Sequence, residues 1–443
     1  MNDNHQPAMA ARRQRRDRLI EIMTARGGGV AVIPTALEKV RSRDSHYPFR
    51  ADSYFHYLCG FPEAEACLLL VAGDKPQSLL FCREKDVDRE IWEGYRYGPE
   101  AAQNHFGVDA AHSIKQLDEK LREQLSGQKC LWYSLGHDAD FDARISRTLN
   151  ALRAEVRSGR QAPSEVLDVR SAIDAMRLAK DAEEIALMRR AGSISAAAHR
   201  RAMRATRPGK FEYQIEAELL CEFRASGSQG PAYGSIVAGG ANACVLHYVD
   251  NDRQLADGDL LLIDAACELD GYASDITRTF PINGRFSGPQ ANIYDLVLDA
   301  QAAAVAVIMP GADFEAVHQA ALRAIVRGLV DMKLLSGSVD GIIESEAYKR
   351  FYMHRTSHWL GLDVHDAGEY KRGEQWQRLQ EGMVLTVEPG CYIRAADDIP
   401  PAFHNIGVRI EDDALVTHEG SELLSHEAPK KIADIEALMR DGR

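Results

Sequence analysis

Two aspartates in one short segment, residues 260–280 (LLLIDAACELDGYASDITRTF), are the first residues of this chain whose types and spacing suggest chemistry. Asp264 closes an unbroken apolar run of strand length, Asp270-Gly271 is a strong two-residue hairpin-turn signal, and an extended pattern resumes at Ala273. Such a turn fixes the register. If Leu269 faces Tyr272, then Asp264 pairs with Thr277, and Asp275 lies diagonally across from Asp264 on the same face. An acid at the end of a buried strand is costly to ionise, and a second acid beside it adds to the cost. Two readings stay open on these residues alone. Either both acids are solvated or held by Arg278 and backbone amides, or they share a metal.

Two further acids stand in similar places. The apolar run 383–387 ends in Glu388-Pro389-Gly390, and the run 406–410 ends in Glu411. Four converging carboxylates would carry a charge of about −4, which two divalent cations would neutralise; hard oxygen ligands suit Mn, Mg or Fe, with Co or Zn if imidazole joins. The segment 353–366, MHRTSHWLGLDVHD, supplies imidazole through His354, His358 and His365. His354 and His358 have the spacing of the H-E-x-x-H zinc peptidases, but Arg355 stands where the general-base glutamate belongs, so that motif fails.

The elements that must position these acids show an internal echo. Asp181 followed by Glu184 predicts a capped helix start, with Ile185, Met188 and Ala191 on one stripe, and the helix ends at Thr206-Arg207-Pro208-Gly209. Phe211, Ile215, Leu219 and Phe223 predict the next helix, its glutamates facing outward. Further on, a helix through 302–308 ends at Met309-Pro310-Gly311 and another starts with Phe314 and Val317. Each copy of this helix, Pro-Gly turn, helix unit precedes a pair of strands bearing two carboxylates. Duplication explains that placement.

The first third reads as an α/β domain with its own sheet. Residues 67–72 (CLLLVA) and 78–82 predict neighbouring strands across Asp74-Lys75-Pro76, with helical segments at 112–125 and 138–152. The polar stretch 158–163 predicts a connector, with a boundary near 171–176. Arg12, Arg13, Arg15, Arg16 and Arg18 read as the solvated face of a first helix whose Leu19, Ile22 and Met23 turn inward.

A chain of 443 residues with 45% hydrophobic content has ample material for a large core. Its formal charge of −13 argues against a nucleic-acid partner, and no apolar run has the length of a membrane span. The Ala/Val-rich stretch before Pro310 reads as a core helix. The eight cysteines are scattered with no C-x-x-C pair, which suits free thiols in a reducing cytoplasm.

The segments Val245-Leu246-His247-Tyr248, LLLIDAACELDGYASDITRTFP, HRTSHWLGLDVHD, VLTVEPGCYI and NIGVRIEDD follow one another over most of residues 177–420. This set resembles the aminopeptidase P family of the "pita-bread" metallopeptidases, family M24. The first domain is similar to that family's N-terminal domain through Tyr47-Pro48-Phe49-Arg50 and the stretch to Gly60-Phe61-Pro62. The resemblance implies an α/β (α+β) protein: an N-terminal α/β domain at 1–174, then a pseudo-twofold, creatinase/aminopeptidase-like catalytic domain at 175–443. It implies metal ligands at Asp264, Asp275, His358, Glu388 and Glu411, with Asp275 and Glu411 bridging two Mn ions per subunit for which Co or Zn could substitute.

His247, His354, His365 and Arg409 fall on the family's substrate-binding and catalytic positions. The implied reaction is cleavage after the first residue of peptides with proline second, by a hydroxide bridging the two ions. In it Glu388 moves a proton to the leaving nitrogen, His365 stabilises the oxyanion and His247 positions substrate. His354, Tyr392 and Arg409 would line the proline pocket, with core packing as the other reading of Tyr392. Trp92 resembles a tryptophan that reaches a neighbouring subunit's site in the family's tetramers, and an ordinary interface or core tryptophan is its other reading. A homo-oligomer, dimer or tetramer, in the cytoplasm is implied. Arg355 departs from the small residue that bacterial members often carry there, which bears on access near His354. The rivals are a prolidase restricted to Xaa-Pro dipeptides, which shares the fold and all five ligands, and a non-catalytic peptidase-like binding module, which usually lacks ligands.

Overall fold

A computed structural model describes residues 5–442. The chain divides into two compact units, Met1–Met176 and Arg177–Arg443.

The first unit is built on a six-stranded mixed sheet in the order Ala110–Ser113, Gln77–Cys82, Cys67–Ala72, Gly29–Pro34, Cys130–Trp132, Glu165–Leu167. Cys67–Ala72 is buried along its whole length, as expected of an unalternating apolar strand with both faces covered. It pairs antiparallel with Gln77–Cys82 across the anticipated turn. Three expectations are corrected here. Ala110–Ser113 is a strand, paired parallel with Gln77–Cys82, so the helical segment expected from residue 112 starts at Ile114, as a 3-10 turn Ile114–Gln116 that runs into the helix Leu117–Leu125. The stretch 158–163 leads into Glu165–Leu167, a strand of this same sheet, and so does not link domains. Arg16 is not on a solvated face: it is 1% exposed on the helix His5–Ala25 and donates to the carbonyls of Leu58 at 2.8 Å and Gly107 at 2.6 Å. Those carbonyls end the helices Ser53–Leu58 and Gly98–Phe106, where backbone acceptors lack intrahelical partners and a cation is favoured.

The second unit repeats one pattern. Helix Ala182–Ala205, capped by Asp181 and Glu184 in a reciprocal box, is followed by helix Glu212–Ala225 and then the strands Leu260–Asp264 and Thr277–Pro281. Helix Gly288–Ala306 is followed by helix Phe314–Asp331 and then the strand pairs between 384 and 417. Helices and strands meet over one core that includes Phe223, Leu261, Ile263, Phe280, Val297, Ile325 and Leu385. Among the described residues no helix is long and apolar enough to cross a membrane.

One outward-facing expectation fails. Glu212 is buried and accepts hydrogen bonds from the backbone N–H of Gly239 and Arg253 and from Tyr248 Oη, at 2.7, 2.8 and 2.7 Å. Asn242 Nδ2 adds a fourth at 3.1 Å, and a carboxylate at the start of a helix that gathers four donors repays its desolvation. Its role is to tie strand Ile236–Gly239 to the loop that carries His247.

The hairpin register is the anticipated one, with Leu269 opposite Tyr272 and Asp264 opposite Thr277. Asp270 and Gly271 both have positive φ, 49° and 85°, as a two-residue hairpin turn requires. In the second half Val384–Val387 pairs with Asp412–Thr417 and Gly390–Ile393 pairs with Ile406–Arg409 in one continuous register. Glu388 and Glu411 stand opposite each other in that register where the strand pairing itself is interrupted, beside Pro389, which has no N–H to offer the ladder.

Candidate active site

Both ladders break at their acids, and the two breaks face each other. Thr277 donates its Oγ1 proton to Glu411 Oε2 at 2.6 Å, and Glu411 N donates to Thr277 O at 3.0 Å, which joins the strand pairs of the two halves. Arg409 donates from Nη2 to Asp264 Oδ2 at 2.6 Å and from Nε to Thr277 Oγ1 at 3.1 Å. Asp275 accepts from Tyr233 Oη at 2.5 Å, and its backbone N–H points at both oxygens of Asp413 at 3.1 Å.

His358 comes from an irregular loop pinned to strand Val384–Val387 by a bond between His358 N and Thr386 Oγ1 of 3.1 Å. Its Nδ1 lies 3.0 Å from its neighbour's carbonyl, Trp359 O, which directs Nε2 toward the acids. Nε2 is 3.5 Å from Asp275 Oδ2 and 3.6 Å from Glu388 Oε1. All five expected ligands thus meet in one place. Arg278 does not hold the acids directly, contrary to one of the two initial readings: its Nη2 pairs with Asp412 at 2.7 Å, on the far side of the ladder.

The electrostatics of the cluster are strained in one direction. Burial raises the Asp275 carboxyl, with Asp264 adding to the rise. Burial also pushes Glu388 up to about 7, and Glu411 is raised well above the usual carboxylate range by burial and then by Asp275 and Glu388. Burial alone would lower His358, but the hydrogen bond to Asp275 and the charge of Glu388 outweigh it and raise the imidazole to about 9. A bound cation reverses the logic for every carboxylate present.

The residues fit divalent metal. Ligand atoms of Asp275, His358 and Glu411 lie within 4.8 Å of one another, and the buried Asp264 Oδ1 has no hydrogen-bond partner. Carboxylate oxygens with one imidazole form a donor set for hard or borderline ions.

This cluster floors a cavity of about 720 Å³. Phe314, Tyr370, Trp376, Val364, Ile236 and Leu246 supply apolar wall, while His247, His354, His365 and Arg409 supply polar groups. His365 sits edge-on to His358 with ring centroids 4.3 Å apart, and burial followed by the His358 charge lowers its pKa. His354 is held neutral by burial and by Arg409, its pKa lowered to about 3, and its Nε2 is 2.8 Å from Tyr392 Oη. Tyr392 does not line the cavity as expected. It is buried behind the wall in an apolar cluster, with its hydroxyl also 3.0 Å from Arg409 Nη1. Trp92 is in the first unit, 86% exposed on the short helix Val87–Glu93, and is not among the residues lining this cavity. Arg355 lines the wall, ion-paired with Glu315, its guanidinium 5.3 Å from the Trp376 ring centroid.

Thr277 is legible in the sequence only as the strand partner of Asp264, and Tyr233, Gln301 and Asp413 are not legible there as site residues. The last three carry no local pattern; only the fold brings them to the acids.

Comparison with known proteins agrees with this site. Residues 186–418 match the model of metallopeptidase family M24, and residues 12–132 match the N-terminal domain of aminopeptidase P. The chain is 44% identical over 433 residues to a Xaa-Pro aminopeptidase of Escherichia coli, covering 97% of each. It is 46% identical over 405 residues to one of Haemophilus influenzae, covering 91% of each. The solved structure of Pseudomonas aeruginosa aminopeptidase PepP superposes with a TM-score of 0.94 at 48% identity, over 97% of this chain and 98% of that one. An α/β N-terminal domain followed by a pita-bread domain is therefore the architecture, and the chain belongs to metallopeptidase family M24 and, within it, to the aminopeptidase P group.

Proposed function

We propose that this chain removes the first residue from peptides whose second residue is proline, by metal-dependent hydrolysis. The observation that carries the reading is the convergence of four carboxylates and the His358 imidazole on the floor of a cavity with apolar and aromatic walls. A non-catalytic module has no use for such a costly cluster. Relatives of 44% and 46% identity bear the name Xaa-Pro aminopeptidase, which supports that specificity over a prolidase.

In this reading Asp264, Asp275, His358, Glu388 and Glu411 hold two divalent ions, manganese in first place, with cobalt or zinc as substitutes. Such ions supply Lewis acidity toward the scissile carbonyl and a water acidic enough to attack at neutral pH. The protein's own groups do the rest. Glu388 takes a proton from the attacking water at one oxygen and delivers it to the leaving proline nitrogen. His365, kept neutral at pH 7, donates an N–H to the oxygen that gains charge. His247 positions the peptide, and His354, braced by Tyr392 and Arg409, forms a firm wall for the proline ring. Trp92, Ile91 and Tyr95, three large apolar side chains close in sequence, are all exposed, which supports self-association as a dimer or tetramer. Eight free thiols, seven of them buried, support a reducing, cytoplasmic setting.

Elemental analysis after manganese loading is expected to give close to two equivalents per chain. Loaded enzyme is expected to release the first residue from Ala-Pro-Ala, to lose most of that activity on Ala-Ala-Ala, and to leave N-acetyl-Ala-Pro-Ala intact because its amine is blocked. A folded chain that takes up no divalent ion would instead be a binding module.

A further inference from the structure

His199 and Gln301 occupy matching places in the two halves. Each lies on the first helix of its half, nine residues ahead of the proline of that half's Pro-Gly turn, Pro208 or Pro310. Both are buried, with exposures of 0% and 1%, and neither lines the cavity. The His199 ring nitrogen Nε2 lies 2.9 Å from Ala265 O. Ala265 follows Asp264, and its N–H donates to the carbonyl of Ile276, which follows Asp275, at 3.2 Å. Gln301 Nε2 lies 3.4 Å from Val387 O and 3.3 Å from Ile410 O, the carbonyls just ahead of Glu388 and Glu411. Gln301 therefore reaches the peptides preceding both acids of its half directly, while His199 holds the residue after Asp264, which in turn bonds the residue after Asp275.

The second contact is fixed by charge. Lys430 donates to Gln301 Oε1 at 2.8 Å and to Asp412 Oδ2 at 2.6 Å, and an ammonium beside that oxygen forbids the flipped amide. Gln301 Nε2 is thereby turned toward the strand carbonyls and toward Asp412 Oδ2 at 3.0 Å. Arg278 closes the network, donating to Asp412 Oδ1 at 2.7 Å and to Glu411 O at 2.5 Å. In the first half the carbonyl of Ala265 requires a proton on Nε2, and since Nδ1 is buried with no hydrogen-bond partner among the described residues, the His199 ring is neutral with Nδ1 bare.

We propose that His199 and Gln301 are paired positioning residues, one per half, that set the spacing of the four metal-binding carboxylates from behind. Regular strand pairing is interrupted beside the acids, and there these two side chains join scattered backbone contacts and Arg278 in fixing how the peptides near the ligands are rotated. Outer-shell groups of this kind typically change metal affinity when removed. The inference rests on the proposed metal site. A merely structural role, satisfying buried carbonyls, would lower stability alone.

The test uses metal-stripped full-length protein, manganese affinity by calorimetric titration, and the metal-free Tm. His199→Leu and Gln301→Leu are each expected to weaken manganese binding about 10- to 100-fold, and His199→Gln, which keeps an N–H for Ala265 O, to recover within about threefold of wild type. Should a leucine variant fail to fold, Lys430→Met and Lys430→Arg decide. Weaker manganese binding in the methionine variant, restored in the arginine variant, supports the proposal. Affinities within about twofold of wild type in the folded variants, with only Tm reduced, overturn it. Wild-type protein that binds no manganese is a different failure, of the metallopeptidase reading itself.

Discussion

Glu388 and His358 both enter the metal-free site holding protons that a cation must displace. Glu388 is held near 7, so its carboxyl is protonated below that pH, and His358 is held near 9, so its imidazolium persists across neutral pH. Manganese affinity is therefore expected to rise with pH from 6 to 9, by up to about tenfold per pH unit for each proton displaced, with proton release in the titration. Calorimetry in two buffers of different ionisation enthalpy measures both; an affinity flat over that range would contradict the site's electrostatics. Roles within the site separate by mutation. Asp275→Ala is expected to lose metal and turnover together, whereas His365→Ala is expected to keep its metal and lose roughly 100- to 1,000-fold in kcat. Near-normal kcat in the His365 variant would remove it as an oxyanion donor. At this scale the acids were legible in the sequence because a charged residue ending an apolar strand is conspicuous and a DG turn fixes which residues face each other. Tyr233 and Asp413 were not, since each meets Asp275 only through tertiary contact.

Strands and helices here are easier to foresee than what their polar residues do. The capped start at Asp181, the hairpin register and the two Pro-Gly turns all follow from local chemistry, and all recur in the structure. Arg16 and Glu212 did not follow, because surface-like residues were read by type, whereas each is drawn inward by orphaned backbone groups. Ala110–Ser113 was misassigned since an edge strand is decided by its neighbour, not by its own four residues. One glycine tests how tightly these elements are fitted. A Cβ at Gly407, on the strand that carries Arg409, would stand 2.4 Å from Ala243 O, so one backbone must move. Gly407→Ala is expected to lower Tm by several degrees and to reduce kcat/KM, since Arg409 holds Asp264. An unchanged Tm would mean that the contact is slack.

Across the whole molecule, buried neutral histidines give folding its own pH dependence. Burial holds His199 and His318 near 4, below the ordinary 6.5. Above 6.5 neither costs anything. As pH falls from 6.5 toward 4 the unfolded chain takes up protons that the folded chain refuses, so stability is lost through that window. Relative to His199→Gln, which has nothing to protonate, wild type is expected to lose up to about 1.4 kcal/mol per pH unit there. Parallel denaturant titrations of the metal-loaded proteins at pH 7 and 5 measure the difference, and equal losses would contradict a neutral His199.

The central claim, that this fold opens its cavity to peptides longer than Xaa-Pro, is tested most directly by one steady-state comparison under manganese saturation. An aminopeptidase must leave room beyond the proline, whereas a prolidase must close that side and pair proline's free carboxylate with a cation. Arg355 and Arg409 line the cavity, but each is already engaged, by Glu315 and by Asp264. Ala-Pro-Ala is therefore expected to be cleaved with kcat/KM at least about tenfold above Ala-Pro, a gap of roughly 1.4 kcal/mol in transition-state binding. A dipeptide that proves the better substrate would contradict the account and make the enzyme a prolidase.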